Sequence, residues 1–424
     1  MPSAGPATVV ASLDRRGAKS PLESLNALDR LNFFLAALLT GFGPFVAVYL
    51  ADRRWAPADV GFVLTVAGLA GLLTQVPAGE LIDMAEPKRA IVGIGIVAVG
   101  LGLLIVGLRP DLPAVFVAAA MQGTAGSVLG PGIAAISLGL VGHDALAERL
   151  GRNQRFASIG SIIAAGTLGL IGYGLSTQAI FFASAALAFP TLFALIRIHA
   201  ADIHFARSCG AAETHLTRPE RASRIVLLKD HRLMTFATCL FLFQLANASI
   251  LPLLGERLAH ADGRWSSPVL SALILVPQII VAALAPWVGR TAASWGRRPL
   301  LLIGLGVVPI RSALFALTTD STLIVLIQVL DGLSGATLGV LTTLVIADLT
   351  KGTGRFNLAQ AVVGSLSAVG ATLSTSISGL VVEKFGDMAG FLSVTAAGLV
   401  AVAIPLLFMP ETKPLVLPPE PVIH

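Results

Sequence analysis

Twelve runs of roughly 20 mostly apolar residues run through this 424-residue chain, and they decide what it can fold into. A helix rises 1.5 Å per residue and needs about 20 apolar residues to cross a bilayer's hydrocarbon. The runs lie near 31–50, 59–80, 89–108, 113–137, 157–175 and 178–197, then near 233–253, 268–288, 299–318, 322–346, 358–381 and 388–409. Charged residues make up only 12% of the chain, against about 25% in a soluble domain. Most of the surface therefore faces something other than water. The class is all-α integral membrane.

Lys and Arg set the expected orientation, because they are enriched in cytoplasmic loops. With both termini inside, 22 of the 29 fall on inside segments, six fall outside, and Arg311 lies within a span. The net charge of +5 then reflects topology, and no nucleic-acid partner is implied. The predicted organisation is a cytoplasmic leader (1–30), a six-helix bundle (31–197), a cytoplasmic linker (198–232), a second six-helix bundle (233–410) and a cytoplasmic tail (411–424). The leader lacks a cleavable signal pattern.

The second half repeats the first. The outer connection "DRRW" (52–55) returns as "DGRW" (262–265), 210 residues later. Gly79 and Gly289 keep that offset, as do Lys88 and Arg298, while Gln122-Gly123 meets Asp331-Gly332 after 209. Arg155-Phe156 and Arg355-Phe356 lie 200 apart, so one loop is about nine residues shorter in the second half. These anchors predict two parallel six-helix repeats around a central cavity, one of the architectures of secondary transporters. Trp55 and Trp265 are expected as interface anchors at the repeated outer turn.

The loops "GELIDMAEPKR" (79–89) and "GRTAASWGRRP" (289–299) resemble the signature of the major facilitator superfamily. That signature is a Gly, an Asp four residues later, a basic residue and a Gly-Arg-Arg/Lys ending. The first copy keeps Gly79, Asp83, Lys88 and Arg89 but has Met84, Glu86 and Pro87 at other signature positions. The second keeps Gly289, Gly296, Arg297 and Arg298 but has Ala293 in place of the Asp and Ser294 in place of a basic residue. The resemblance implies a cytoplasmic gate at these residues. Physics gives the same expectation, since a carboxylate beside a helix end and a cluster of cations can make charge-assisted bonds in one conformation and break them in another.

Arg311 and Asp331 are the intramembrane charge and proton candidates. Each costs about 2.5–3.5 kcal/mol at a span centre, so neither is expected to face lipid. They lie roughly 10 and 14 Å deep on adjacent spans, at nearly one level, and are expected to meet. Gln122, Gln244, Asn247 and Gln328 fall near that depth, and the resemblance implies that their spans line the central cavity. A single Gln is as readily interhelical glue. Gln75 and Gln278 are weaker cavity candidates, since each could equally face a neighbouring helix.

Other features read more plainly. The glycine-rich "GTAGSVLGPG" (123–132) lacks a phosphate-loop ending and suits close helix packing. The fifth span lacks the Gly-Pro…Gly-Gly pattern of the family's drug–proton antiporters, and Ala119 stands where they carry an Arg. His199, His204, Cys209 and His215 lie in a linker read as a solvated connector, with no metal site and no cofactor implied. The spans hold no His and no catalytic constellation, so an enzyme is not expected, and a sensor would carry a larger soluble domain. The expected function is alternating-access transport of a small organic solute by a monomer in a bacterial-type inner membrane. Proton coupling is expected, with efflux slightly favoured over proton-driven import, for instance of a metal chelate, and over facilitation.

Overall fold

A computed structural model describes residues 6–211, 227, 229–261 and 266–412. Its twelve candidate membrane helices are α1 (Pro21–Leu50), α2 (Asp59–Met84), α3 (Lys88–Leu108), α4 (Leu112–Val141), α5 (Leu146–Gly174) and α6 (Thr177–Ile196). The second six are α7 (His231–Leu258), α8 (Val269–Trp295), α9 (Arg298–Leu317), α10 (Ser321–Leu349), α11 (Phe356–Phe385) and α12 (Asp387–Phe408). Each coincides with one expected apolar run. Two candidate spans reach about ten residues further than expected at their starts, α1 to Pro21 within a helix that runs from Pro6, and α5 to Leu146. The cause is a buried ion pair that the apolar pattern does not show. Asp29 on the α1 extension binds Arg149 and Arg152 on the α5 extension, and Leu28 and Leu31 are fully buried beside it. The polar leader therefore gives way to packed helix ten residues before the expected boundary.

The repeat is visible in the packing. In the first half α2 packs on α4, α3 on α4 and α6, and α1 on α5 and α6. The same pairings, six helices later, build the second half: α8 on α10, α9 on α10 and α12, and α7 on α11 and α12. The first helix of each half is interrupted near the start of its last third. In α1 the helix stops at Thr40 and resumes at Gly43; in α7 it stops at Asn247 and resumes at Ile250.

The halves meet through α5 against α8 and α2 against α11. Glycines bring these backbones together. A Cβ at Gly151 would stand 2.4 Å from the Ala285 carbonyl oxygen, and one at Gly289 would stand 2.5 Å from that of Ala147. Both contacts lie near the face carrying the loops 79–89 and 289–299, called the basic face below. There, one apolar core joins Leu138, Leu146 and Leu150 of the first half to Phe236, Leu301, Leu341 and Phe356 of the second. Toward the opposite face the cores separate, one around Val99, Leu103 and Phe181 and another around Leu254, Phe315 and Phe391. Gly68 of α2, Gly169 of α5 and Gly379 of α11 have open space beside them on that side. The two halves share one core at the basic face and have separate cores toward the other.

"DRRW" forms the turn between α1 and α2, with the Trp55 N–H donating to the Leu50 carbonyl at 3.1 Å. Trp55 packs partly buried against the core of the first half. "DGRW", with Trp265, lies outside the described residues, as does His215.

Gly160 of α5 sets the α1–α5 spacing, since a Cβ there would lie 2.1 Å from the Phe33 carbonyl oxygen. Gly160→Val is expected to cost about 1–3 kcal/mol through overpacking. A lowered thermal unfolding midpoint in detergent is the measurement that checks it.

Candidate functional site: a basic-face gate and an intramembrane polar pocket

The last turn of α2 ends in Asp83, which is completely buried. Its carboxylate reaches across to the other half and closes the N-terminus of α11. One oxygen accepts the Asn357 N–H at 3.1 Å and the Asn357 side-chain amide at 2.8 Å, and the other accepts the Leu358 N–H at 2.9 Å. A helix start carries unsatisfied N–H groups and partial positive charge, so an anion is stabilising there. Arg355, at the N-cap position of α11, makes no side-chain cap of its own. The cap comes from the other half of the molecule.

Small residues let the carboxylate arrive. A Cβ at Gly79 would lie 2.6 Å from the Asn357 carbonyl oxygen and from the Ala361 side chain. Glu80 and Arg355 add an ion pair at 3.5 Å across the same seam. Gln75 lies on it too, with its amide against Gly364 of α11. It therefore packs in the seam between halves, the neighbouring-helix alternative of the two expected for it.

The start of the linker packs into this seam, which corrects its reading as a solvated connector. Cys209 is buried, and its thiol donates to the Asp83 carbonyl at 3.3 Å. Its own carbonyl accepts the Phe356 N–H at 3.0 Å, and the Ser208 carbonyl accepts the Asn357 amide at 3.1 Å. Lys88 is also buried, donating to the Ile82 carbonyl and to the Cys209 sulfur at 3.6 Å, with its ammonium 4.8 Å from the Phe205 ring. Burial pushes the Cys209 thiol above its ordinary value, which makes it slow to react while the gate is shut. The linker's polar composition concealed all of this.

The second copy of the motif is wired differently. Arg297 donates to Asp348 of α10 at 2.8 Å and to the Ala292 carbonyl at 3.0 Å, and the Arg297 and Arg298 N–H groups donate to Glu411 at 2.8 and 3.1 Å. Gly296, at φ +103°, makes that turn. Arg298 also donates to the Leu406 carbonyl, and Arg89 in the first copy to that of Ile196. These arginines bind within their own halves, so Asp83 alone of the motif's charges caps the opposite half.

The second cluster is intramembrane. Arg311 of α9 and Asp331 of α10 form an ion pair, with the Arg311 side chain 2% exposed and that of Asp331 28%. Arg311 also donates to Asn247, the last residue before the interruption of α7. Gln328 donates to Asp331 at 3.2 Å and to the Leu273 carbonyl at 3.1 Å. These four residues and Gln278 line one cavity of about 260 Å³ between α7, α8 and α10. Two expected members are absent from it. Gln122 is buried against Gly102 of α3, inside the first half. Gln244 is half-buried on α7, one turn toward the basic face from Asn247.

A parallel two-repeat helix bundle, shut at one end and holding buried charges beside a cavity, is the architecture of an alternating-access secondary transporter. The Major Facilitator Superfamily profile matches residues 31–254 and 234–424, one match per half, and the chain belongs to that family. An uncharacterized MFS-type transporter of Mycobacterium tuberculosis is 36% identical over 397 residues, covering 92% of this chain and 94% of its own. The class B tetracycline resistance protein of Escherichia coli is 36% identical over 107 residues, 25% of this chain and 26% of its own. Among solved structures, a proton:xylose symporter superposes with a TM-score of 0.73 at 12% identity, covering 93% of this chain and 97% of that one. The Escherichia coli fucose:proton symporter gives 0.69 at 13%, covering 91% and 98%. At these identities the likeness is one of fold.

Asp83→Asn removes the charge from the cap. Charge-assisted hydrogen bonds contribute about 1.5–3 kcal/mol each, so the closed basic face should lose at least tenfold in population. In a Cys239→Ser background, faster labelling of Cys209 by a maleimide is the expected reading, with protein levels near normal and transport reduced. An unchanged labelling rate would count against the cap as the gate's closing element.

Proposed function

We propose that this multi-pass transporter exports a small organic solute in exchange for protons, from a bacterial inner membrane with both termini cytoplasmic. The observation that carries the reading is the unequal exposure of the buried pair. Both side chains line the cavity, but that of Arg311 is almost wholly covered by protein while that of Asp331 is 28% exposed. A solute entering that cavity finds a carboxylate already balanced by a guanidinium, with lone pairs to spare. A donor group on the solute and a proton compete for the same oxygens, and competition for one site is the thermodynamic basis of exchange. Gln328, Gln278 and Asn247 supply further polar contacts around it. The partial likeness to a tetracycline resistance protein also favours export.

Asp331→Asn alone would leave Arg311 as an uncompensated buried charge, at a cost of about 3–5 kcal/mol. The informative variant is Arg311→Gln with Asp331→Asn, which removes both charges. In proteoliposomes it should fold, bind solute and let it equilibrate, yet fail to accumulate it when a pH gradient is imposed. Accumulation retained by the double variant would place proton coupling elsewhere or remove it. Solute moving in the same direction as the protons would refute exchange.

A further inference from the structure

A cavity of about 460 Å³ lies where α5 and α8 meet at the basic face. Arg152, Arg155 and Arg290 line it, with Glu148 as the one acid on its wall. Arg152 already shares Asp29 with Arg149. Arg155 and Arg290 are exposed, and neither has an ion pair or hydrogen bond among the described residues. These two unpaired guanidinium groups, beside a third shared with Asp29 and against one wall carboxylate, are a site suited to an anion.

Its position says which anion. Gln154 contacts Gly339 of α10, on the inner side of α5. Arg152, two residues away, is turned about 200° from it and so points to the outer flank of the bundle. Below the arginines the same flank becomes apolar. On α5, Arg152, Arg155, Ile159 and Ile163 follow one another at three- and four-residue steps, and Ile163 is 49% exposed. On α8, Arg290, Pro286, Ala283 and Ile279 do the same, and Ile279 is 53% exposed. Side chains at such spacings share a helix face. Two apolar stripes thus descend into the bilayer on either side of a groove with three cations at its head.

We propose that this groove binds an anionic phospholipid, its phosphodiester held by Arg155 of one half and Arg290 of the other. Basic pockets between membrane helices at the cytoplasmic side are suited to such headgroups. The lipid's acyl chains lie along the Ile159–Ile163 and Ile279–Ala283 stripes. The site straddles the seam where Gly151 and Gly289 bring the halves into backbone contact. A lipid held by both arginines therefore belongs to the closed basic face.

The test is lipid retention by the delipidated full-length protein in detergent, read by native mass spectrometry against phosphatidylglycerol and phosphatidylcholine. Phosphatidylglycerol should be retained and phosphatidylcholine should not. Arg155→Gln with Arg290→Gln should weaken phosphatidylglycerol retention on the order of tenfold, whereas Arg197→Gln with Arg232→Gln, on the same face but outside the groove, should not. Arg155→Lys with Arg290→Lys keeps the charge and should keep most of the binding. If the double Gln variant does not fold, Arg290→Gln alone gives the same reading at smaller size. Equal retention by the Gln and wild-type proteins would overturn the proposal. So would protection from thermal unfolding by soluble glycerol phosphate equal to that given by the lipid, since the apolar stripes would then contribute nothing.

Discussion

The N-terminus of α11 has no cap within its own half, and the closed state rests on Asp83 of α2 supplying one. A buried carboxylate is costly unless it is well bonded, and a helix start with orphan N–H groups is costly unless it is capped. Each relieves the other only while the halves are together. When they part, both groups must find water. That makes the contact a two-state element, stable when fully formed or fully hydrated and poor in between.

The repeat predicts a second such latch, between α8 and α5, and the sequence withholds it. Ala293 stands at the position of Asp83. The second seam is instead a backbone contact through Gly151 and Gly289. The α5 extension meanwhile commits Arg149 and Arg152 to Asp29 of α1. One seam therefore closes by charge-assisted bonds and the other by close packing. Packing through glycine tolerates rotation about the contact better than a bidentate cap does, so the α5–α8 seam suits a pivot and the α2–α11 seam a latch.

The distribution of these features explains what was legible in the sequence. Twelve spans and a six-plus-six repeat follow from the bilayer's thickness and from echoes such as Gly79/Gly289, because those constraints act along the chain. Arg311 and Asp331 could be paired because depth within a helix is a simple function of residue number. What depends on a helix's rotation was not legible. Gln122 shares the repeat position of Asp331 yet turns toward α3, and Gln75 turns toward α11. Cys209 and Asp29 were concealed for a different reason. Both sit in polar stretches, where burial comes from tertiary partners far away in the chain.

The gate and the pocket occupy opposite ends of one energetic problem. With the basic face shut, the cavity around Asp331 lies within the second half, toward the end where the two cores are separate. A solute can shift the balance between open and shut only by its difference in affinity for the two states. Breaking the Asp83 cap forfeits three hydrogen bonds to a carboxylate, each contributing about 1.5–3 kcal/mol before rehydration offsets part of it. The opposing term has to come from contacts formed as the halves close at the other face. Arg311 is held by Asp331 of α10 and by Asn247 at the break in α7. Under the proposed exchange, a proton or solute at Asp331 would alter the charge at that joint. Asn247 ends the first segment of α7, so the ion pair is tied directly to the one interruption of that helix.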